Sequence, residues 1–168
     1  MSDTPTRDES VAKLRELIAD ARVAMLTTID TDGAPWSRPM GLQKPGDFDG
    51  TLYFYTQADT DKVAHIKRTP KVSVSVVQPG DQEYVTLTGT AAVTNDREKI
   101  RDLWTLPVRA WYPDGPDDPN LRLIEVEVDR AEYWDSPASM VAYAFGLAKA
   151  IATGEPADDL GENAKVSL

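Results

Sequence analysis

Residues 51–66 read TLYFYTQADTDKVAHI, and this passage decides the fold. Thr51 to Thr56 is rich in aromatic and β-branched side chains and reads as a strand. The chain then passes through a short polar stretch into a predicted helix from Asp59 to Arg68, which stops before Pro70. Just beyond, Val72, Val74 and Val76 alternate with Ser73, Ser75 and Val77, the period of a strand with one buried face.

Upstream, Val11, Leu14, Leu17, Ile18 and Ala21 are spaced by three and four, which predicts an amphipathic helix over 10–21 with Asp8 or Ser10 as its cap. Val23 to Ile29 and Ala34 to Leu42 flank the turn Asp30-Thr31-Asp32-Gly33 and read as a hairpin. Pro35 and Pro39 in its second arm imply an edge strand or a bulge, because proline lacks the N–H a ladder needs. Residues 44–50 read as a loop. Downstream, Tyr84 to Val93 and Leu121 to Trp134 are further strands, and Gly89 marks a bulge or a close approach. Helices are predicted over 95–104, capped by Asn95, and over 139–153, while 106–119 and the acidic stretch from Gly154 read as loop and tail. The predicted architecture is mainly β with flanking helices: a six-stranded antiparallel barrel in a single domain over 1–168. Residues 1–9 and 154–168 are expected to be loosely packed tails.

The formal net charge of −10 disfavours binding to nucleic acid and to anionic membranes. The chain has no cysteine, which excludes disulfides, thiolate catalysis and cysteine-bound metal. No apolar run approaches the roughly 20 residues that span a bilayer, and MSDTPTRDES is not a signal sequence, so a cytoplasmic protein is expected. A multi-histidine metal site is excluded by the single histidine, His65. It has no obvious carboxylate to orient it and reads as a surface or partly buried helix residue.

Two segments carry candidate chemistry. Lys62 lies in the first turn of the predicted helix, where a positive charge opposes the helix dipole unless an anion compensates it. Thr60 can cap that helix or donate to a phosphate oxygen. Arg38 lies mid-strand, with Met40 and Leu42 on its face by alternation, so a cation heads an apolar strip. Each feature alone is also compatible with a solvated cation and an ordinary core.

Taken together, Arg38-Pro39-Met40-Gly41-Leu42-Gln43, Phe54-Tyr55-Thr56 and Thr60-Asp61-Lys62 resemble the motifs of the pyridoxamine-phosphate-oxidase-like flavin-binding split barrels, and of their short bacterial general stress proteins in particular. The resemblance extends over nearly the whole chain. It implies FMN bound at a homodimer interface, with Arg38 and Lys62 on the phosphate and Thr60 and Asp61 beside them. Residues Arg38 to Gln43 would lie along the ring, with Tyr55 and Thr56 on the ring or ribityl chain. It also implies that Trp134 covers the flavin from the partner subunit, with Trp111 and Trp104 as further candidates; core or dimer-interface packing is the other reading of both, and for Trp104 at least as strong a one.

The chain departs from the phosphorylated-vitamin oxidases of that family. Gln43 and Asp61 stand where those have basic residues, Tyr84 stands where they have glutamine, and Asp135-Ser136-Pro137 follows Trp134 in place of a basic segment. Pyridoxine-phosphate oxidation is therefore not expected. The implied activity is flavin-dependent electron exchange between a reduced nicotinamide and a small-molecule acceptor. The alternatives are a non-catalytic flavin-binding or flavin-buffering protein, a barrel using FAD, deazaflavin F420 or haem, or a small barrel with no cofactor.

Overall fold

A computed structural model describes residues 6–80, 83–135, 148–154 and 162–168. The elements run α1 (Arg7–Ile18), β1 (Val23–Ile29), β2 (Pro35–Gly41), β3 (Thr51–Gln57), α2 (Asp61–Arg68), β4 (Lys71–Gln78), β5 (Glu83–Thr94), α3 (Arg97–Asp102), α4 (Leu106–Trp111), β6 (Leu121–Asp135) and β7 (Glu162–Ser167). Six strands form one antiparallel sheet in the order β2-β1-β4-β5-β6-β3. The proline-bearing β2 is an edge, as its missing N–H groups require.

The sheet curls until its two edges meet, but they join at one place. Leu42 bridges Phe54, and the Gln43 amide donates to the Tyr53 carbonyl at 3.0 Å. Past that point β2 and β3 separate, and α2 follows the end of β3. The result is the split barrel that the sequence leads one to expect. Its core gathers alternating residues such as Leu26, Val74, Leu87 and Val126, and α1 closes one side with Leu14, Leu17 and Ile18.

Several local expectations are corrected. Helix α1 begins at Arg7 because Thr6, not Asp8 or Ser10, is the cap: Glu9 N–H donates to Thr6 Oγ1 and Glu9 accepts from Thr6 N–H, a reciprocal capping box. Asp96, not Asn95, caps α3 by accepting from Lys99 N–H. The segment expected to be loop from 106 opens with the short helix α4. Of the helix expected over 139–153, residues 148–153 are helical and 136–147 lie outside the described residues. The segment 162–167, expected to be tail, is a seventh strand. It pairs with β6 over Arg130–Asp135, in line with β3, which pairs with the same edge of β6 over Leu121–Glu127. Short and polar, β7 carries little signal of its own; the unpaired half of β6 recruits it, and Val166 becomes buried.

Gly89 sits at a register break. Thr88 faces Arg130 and Gly89 faces Val128, so Asp129 is the extra residue of a bulge. A Cβ on Gly89 would stand 2.0 Å from the Glu127 carbonyl oxygen, so backbone meets backbone. Gly89→Ala is expected to cost about 1–3 kcal/mol, read as a lower urea midpoint with an unchanged slope. An unchanged midpoint would show that the bulge relaxes freely.

Candidate functional site

The site forms where the barrel fails to close. On β2, alternation turns Met40 and Leu42 into the core and places Arg38, half-buried, on the same face nearer the split. On β3, Thr56 lies two residues past the closing bridge and is fully enclosed. Helix α2 then presents Lys62 from its first turn, also half-buried.

Each cation rests on a threonine. Arg38 Nη1 donates to Thr28 Oγ1 at 2.7 Å and to the Leu26 carbonyl at 3.2 Å. Lys62 Nζ donates to Thr56 Oγ1 at 3.3 Å. Thr56 and Thr60 hydroxyls lie 3.1 Å apart, and Thr60 donates to the Gln57 carbonyl at 3.0 Å. Among the described residues, the buried polar side chains are Ser10, Thr28 and Thr56, so two of these three hold the cations.

Neither cation has a carboxylate within ion-pair distance among the described residues, whereas Lys13, Lys71, Lys99 and Arg101 each have one. Burial lowers the ionisation of both Arg38 and Lys62 from their ordinary values, and Arg38 pushes Lys62 down further. Exposed Asp61 opposes both effects without pairing to either. The arginine keeps its charge regardless. Its Nε and Nη2 donors, and the amides of Asp61 and Lys62, have no acceptor among the described residues. Thr60 occupies the N-cap position but makes no cap hydrogen bond, its hydroxyl being engaged with Gln57 and Thr56. Two cations without carboxylate partners and an uncapped helix N-terminus thus lie close enough to feel one another's charge, an arrangement suited to an anion with several acceptor oxygens.

The other expected residues divide. Gly41 and Pro39 lie on the exposed face of β2, and Gln43 donates from Nε2 to the Gly41 carbonyl at 3.0 Å. The Tyr55 side chain is engaged elsewhere in the structure. Its ring is buried in a second core with Ile100, Val108, Leu121 and Leu123, and its hydroxyl donates to the Ile100 carbonyl at 2.6 Å. Trp104, partly buried, packs edge-on against it with ring centroids 5.6 Å apart, at the margin of that second core. Burial raises the Tyr55 phenol well above the ordinary tyrosine range. Trp111 is 82% exposed on α4, and Trp134 is 42% exposed on the outer face of the sheet, opposite Tyr84; neither belongs to the cation cluster of its own chain. A depression of about 660 Å³ on that outer face, floored by the Gly89 bulge and edged by Thr27, Pro35 and Arg130, contains none of the expected site residues.

Sequence reasoning missed Thr28 and gave His65 no role. His65 Nδ1 lies 3.0 Å from Thr28 Oγ1. A signal existed: Ala24, Leu26 and Thr28 share the inward face of β1, so a polar side chain stands where the alternation calls for an apolar one.

Fold and site together define an antiparallel split barrel with two half-buried cations, Arg38 and Lys62, where its edge strands part. The sequence model of the family described as pyridoxamine 5'-phosphate oxidase like matches residues 9–158, and the chain belongs to that family. It is 30% identical to general stress protein 26 of Bacillus subtilis over 118 residues, 68% of this chain and 81% of that protein. It is 26% identical to protein bli-3 of Neurospora crassa over 159 residues, 89% of this chain and 76% of that one. Among solved structures it resembles the general stress FMN/FAD binding protein of Xanthomonas citri, with 29% identity and a TM-score of 0.67, covering 79% of this chain and 93% of that one.

The depressed Lys62 has a stability consequence. The unfolded chain holds that proton more tightly, so stability rises with pH between the lowered folded value and the ordinary 10.5. At neutral pH the charged lysine is therefore a burden on the ligand-free fold. Lys62→Met is expected to raise Tm and to lose most of the stabilisation given by added inorganic phosphate. A melting temperature at or below wild type would show that the ammonium is well accommodated.

Proposed function

We propose that this protein binds a flavin, FMN in the first instance, with its phosphate between Arg38 and Lys62. The reading rests on one observation above all: two half-buried cations without carboxylate partners flank the uncapped start of α2. Family membership and a similar structure described as an FMN/FAD binding protein support it. Arg38 would clamp two phosphate oxygens through Nε and Nη2, and Lys62 would add a point charge with its remaining donors. The edge of β2 from Arg38 to Gly41, with Leu42 and Gln43 at its closed end on β3, would run beside the ring. When bound, the flavin supplies the redox chemistry, exchanging electrons between a reduced nicotinamide and a small acceptor. The protein's residues bind, orient and shield it from water. Asp61 in the first turn of α2 lowers the net positive charge of the opening and keeps FAD and F420 as competing ligands.

The same reading includes a homodimer. Val77, Tyr84 and Trp134 are cross-strand neighbours on the outer face, and all three are exposed, as are Val23 and Met25 on β1. A contiguous apolar patch of this kind suits a subunit interface, and a second copy there would bring its Trp134 to a flavin that one barrel leaves uncovered.

Arg38→Ala and Lys62→Ala are each expected to weaken FMN binding by about 1.5–3 kcal/mol, roughly 10- to 150-fold, while riboflavin binding changes little. Flavin fluorescence titration measures both, and equal losses for the two ligands would refute the phosphate assignment. Anaerobic NADPH or NADH is expected to bleach the yellow protein near ~450 nm; persistent colour would mean that flavin is held without turnover. Sedimentation is expected to give a dimer at micromolar concentration, and Tyr84→Arg a monomer with weakened flavin binding. A wild-type monomer that still holds flavin would overturn the shared interface.

A further inference from the structure

We infer that Thr28 and His65 are the positioning residues of Arg38, with neutral His65 ending a hydroxyl relay that aims the guanidinium into the opening. This rests on the flavin-phosphate reading and goes one shell beyond it. The argument is an account of protons. Arg38 is always a donor, so at 2.7 Å Thr28 Oγ1 accepts from its Nη1–H. The hydroxyl must then place its own proton elsewhere. Thr28 is 0% exposed, so water cannot take it. Among the described residues the remaining polar neighbour is His65 Nδ1 at 3.0 Å. The relay takes that nitrogen as the acceptor of the hydroxyl's proton, with the ring proton on Nε2.

The direction of the relay matters. Arg38 N–H to Thr28 O–H to His65 Nδ1 is a head-to-tail chain, in which each bond polarises the next. It occupies Nη1 and, with the Leu26 carbonyl, fixes the plane of the guanidinium. Nε and Nη2 are left as the pair directed at a ligand. Lys62 has a similar chain through Thr56 and Thr60, which ends on a backbone carbonyl. The arginine's chain ends on the chain's one histidine. Apolar side chains at 28 or 65 would leave Arg38 charged but free to swing, so the loss should appear in recognition of phosphate and not of the ring.

The test compares FMN with riboflavin, ligands that differ by the phosphate. Thr28→Val and His65→Leu are each expected to lower FMN affinity roughly five- to twentyfold with less than a twofold change for riboflavin. Thr28→Ser and His65→Asn, which keep a hydroxyl and an acceptor in place, are expected to restore most of it. In an Arg38→Ala background the effect of Thr28→Val should vanish, because the relay would have nothing to aim. The ¹⁵N spectrum of the single imidazole should show an unprotonated Nδ1 in the wild type and a tautomer mixture in Thr28→Val. If Arg38→Ala leaves the FMN-to-riboflavin preference intact, the phosphate reading itself has failed. If Arg38→Ala abolishes that preference but Thr28→Val and His65→Leu do not alter it, the relay alone is wrong. Equal losses for both ligands, or a protonated Nδ1 in the wild type, would likewise overturn it.

Discussion

An antiparallel sheet of six twisted strands can close on itself and abolish its edges, yet here β2 and β3 meet through the single bridge of Leu42 to Phe54. Everything at the candidate site follows from that incomplete closure. Full pairing would carry the register on, opposing Met40 to Thr56, and the ladder would seal the gap between Arg38 and the start of α2. Because the strands part, the last turn of β3 can feed a helix across the gap. Its N-terminus then looks into the same opening as the arginine of the opposite edge.

The opening runs against the usual rules for a stable interior. Elsewhere in the chain, Lys13, Lys71, Lys99 and Arg101 lie against aspartate or glutamate. At the split, two like charges are brought partly out of water and given only threonine hydroxyls and a carbonyl as partners. A fold keeps such an arrangement when something outside the chain offsets it, and an oxyanion is the natural counterpart. The enclosed threonines matter as much as the cations. Without Thr28 and Thr56, Arg38 and Lys62 would be long flexible side chains at a crevice, free to turn to solvent.

Much of the fold was legible in the residues. The alternation of Val72, Val74 and Val76, the hairpin turn at Asp30 to Gly33 and the prolines of β2 specify their elements through strong local physics, and β2 lies at the edge its prolines demand. Arg38 and Lys62 were legible as candidates because each is awkward where it stands. Less legible were features whose signal is not local. The cap of α1 is set by reciprocity between Thr6 and Glu9. The strand β7 exists because half of β6 has an unsatisfied edge. Tyr55 reads as a ligand contact in its motif, but strand alternation turns its ring to the face that α3 and α4 cover.

By itself the sequence determined the strand and helix periods, the edge character of β2 and the two cations, since each depends on residues within a few positions of one another. It could not determine that Arg38 and Lys62, 24 residues apart by number, lie close together, or that Thr28 and His65 stand behind Arg38 and Thr56 behind Lys62. Those relations depend on which sheet edges fail to pair and on how far the barrel curls. Only the packing of the whole core decides that, because it sets the distance at which β2 and β3 face each other.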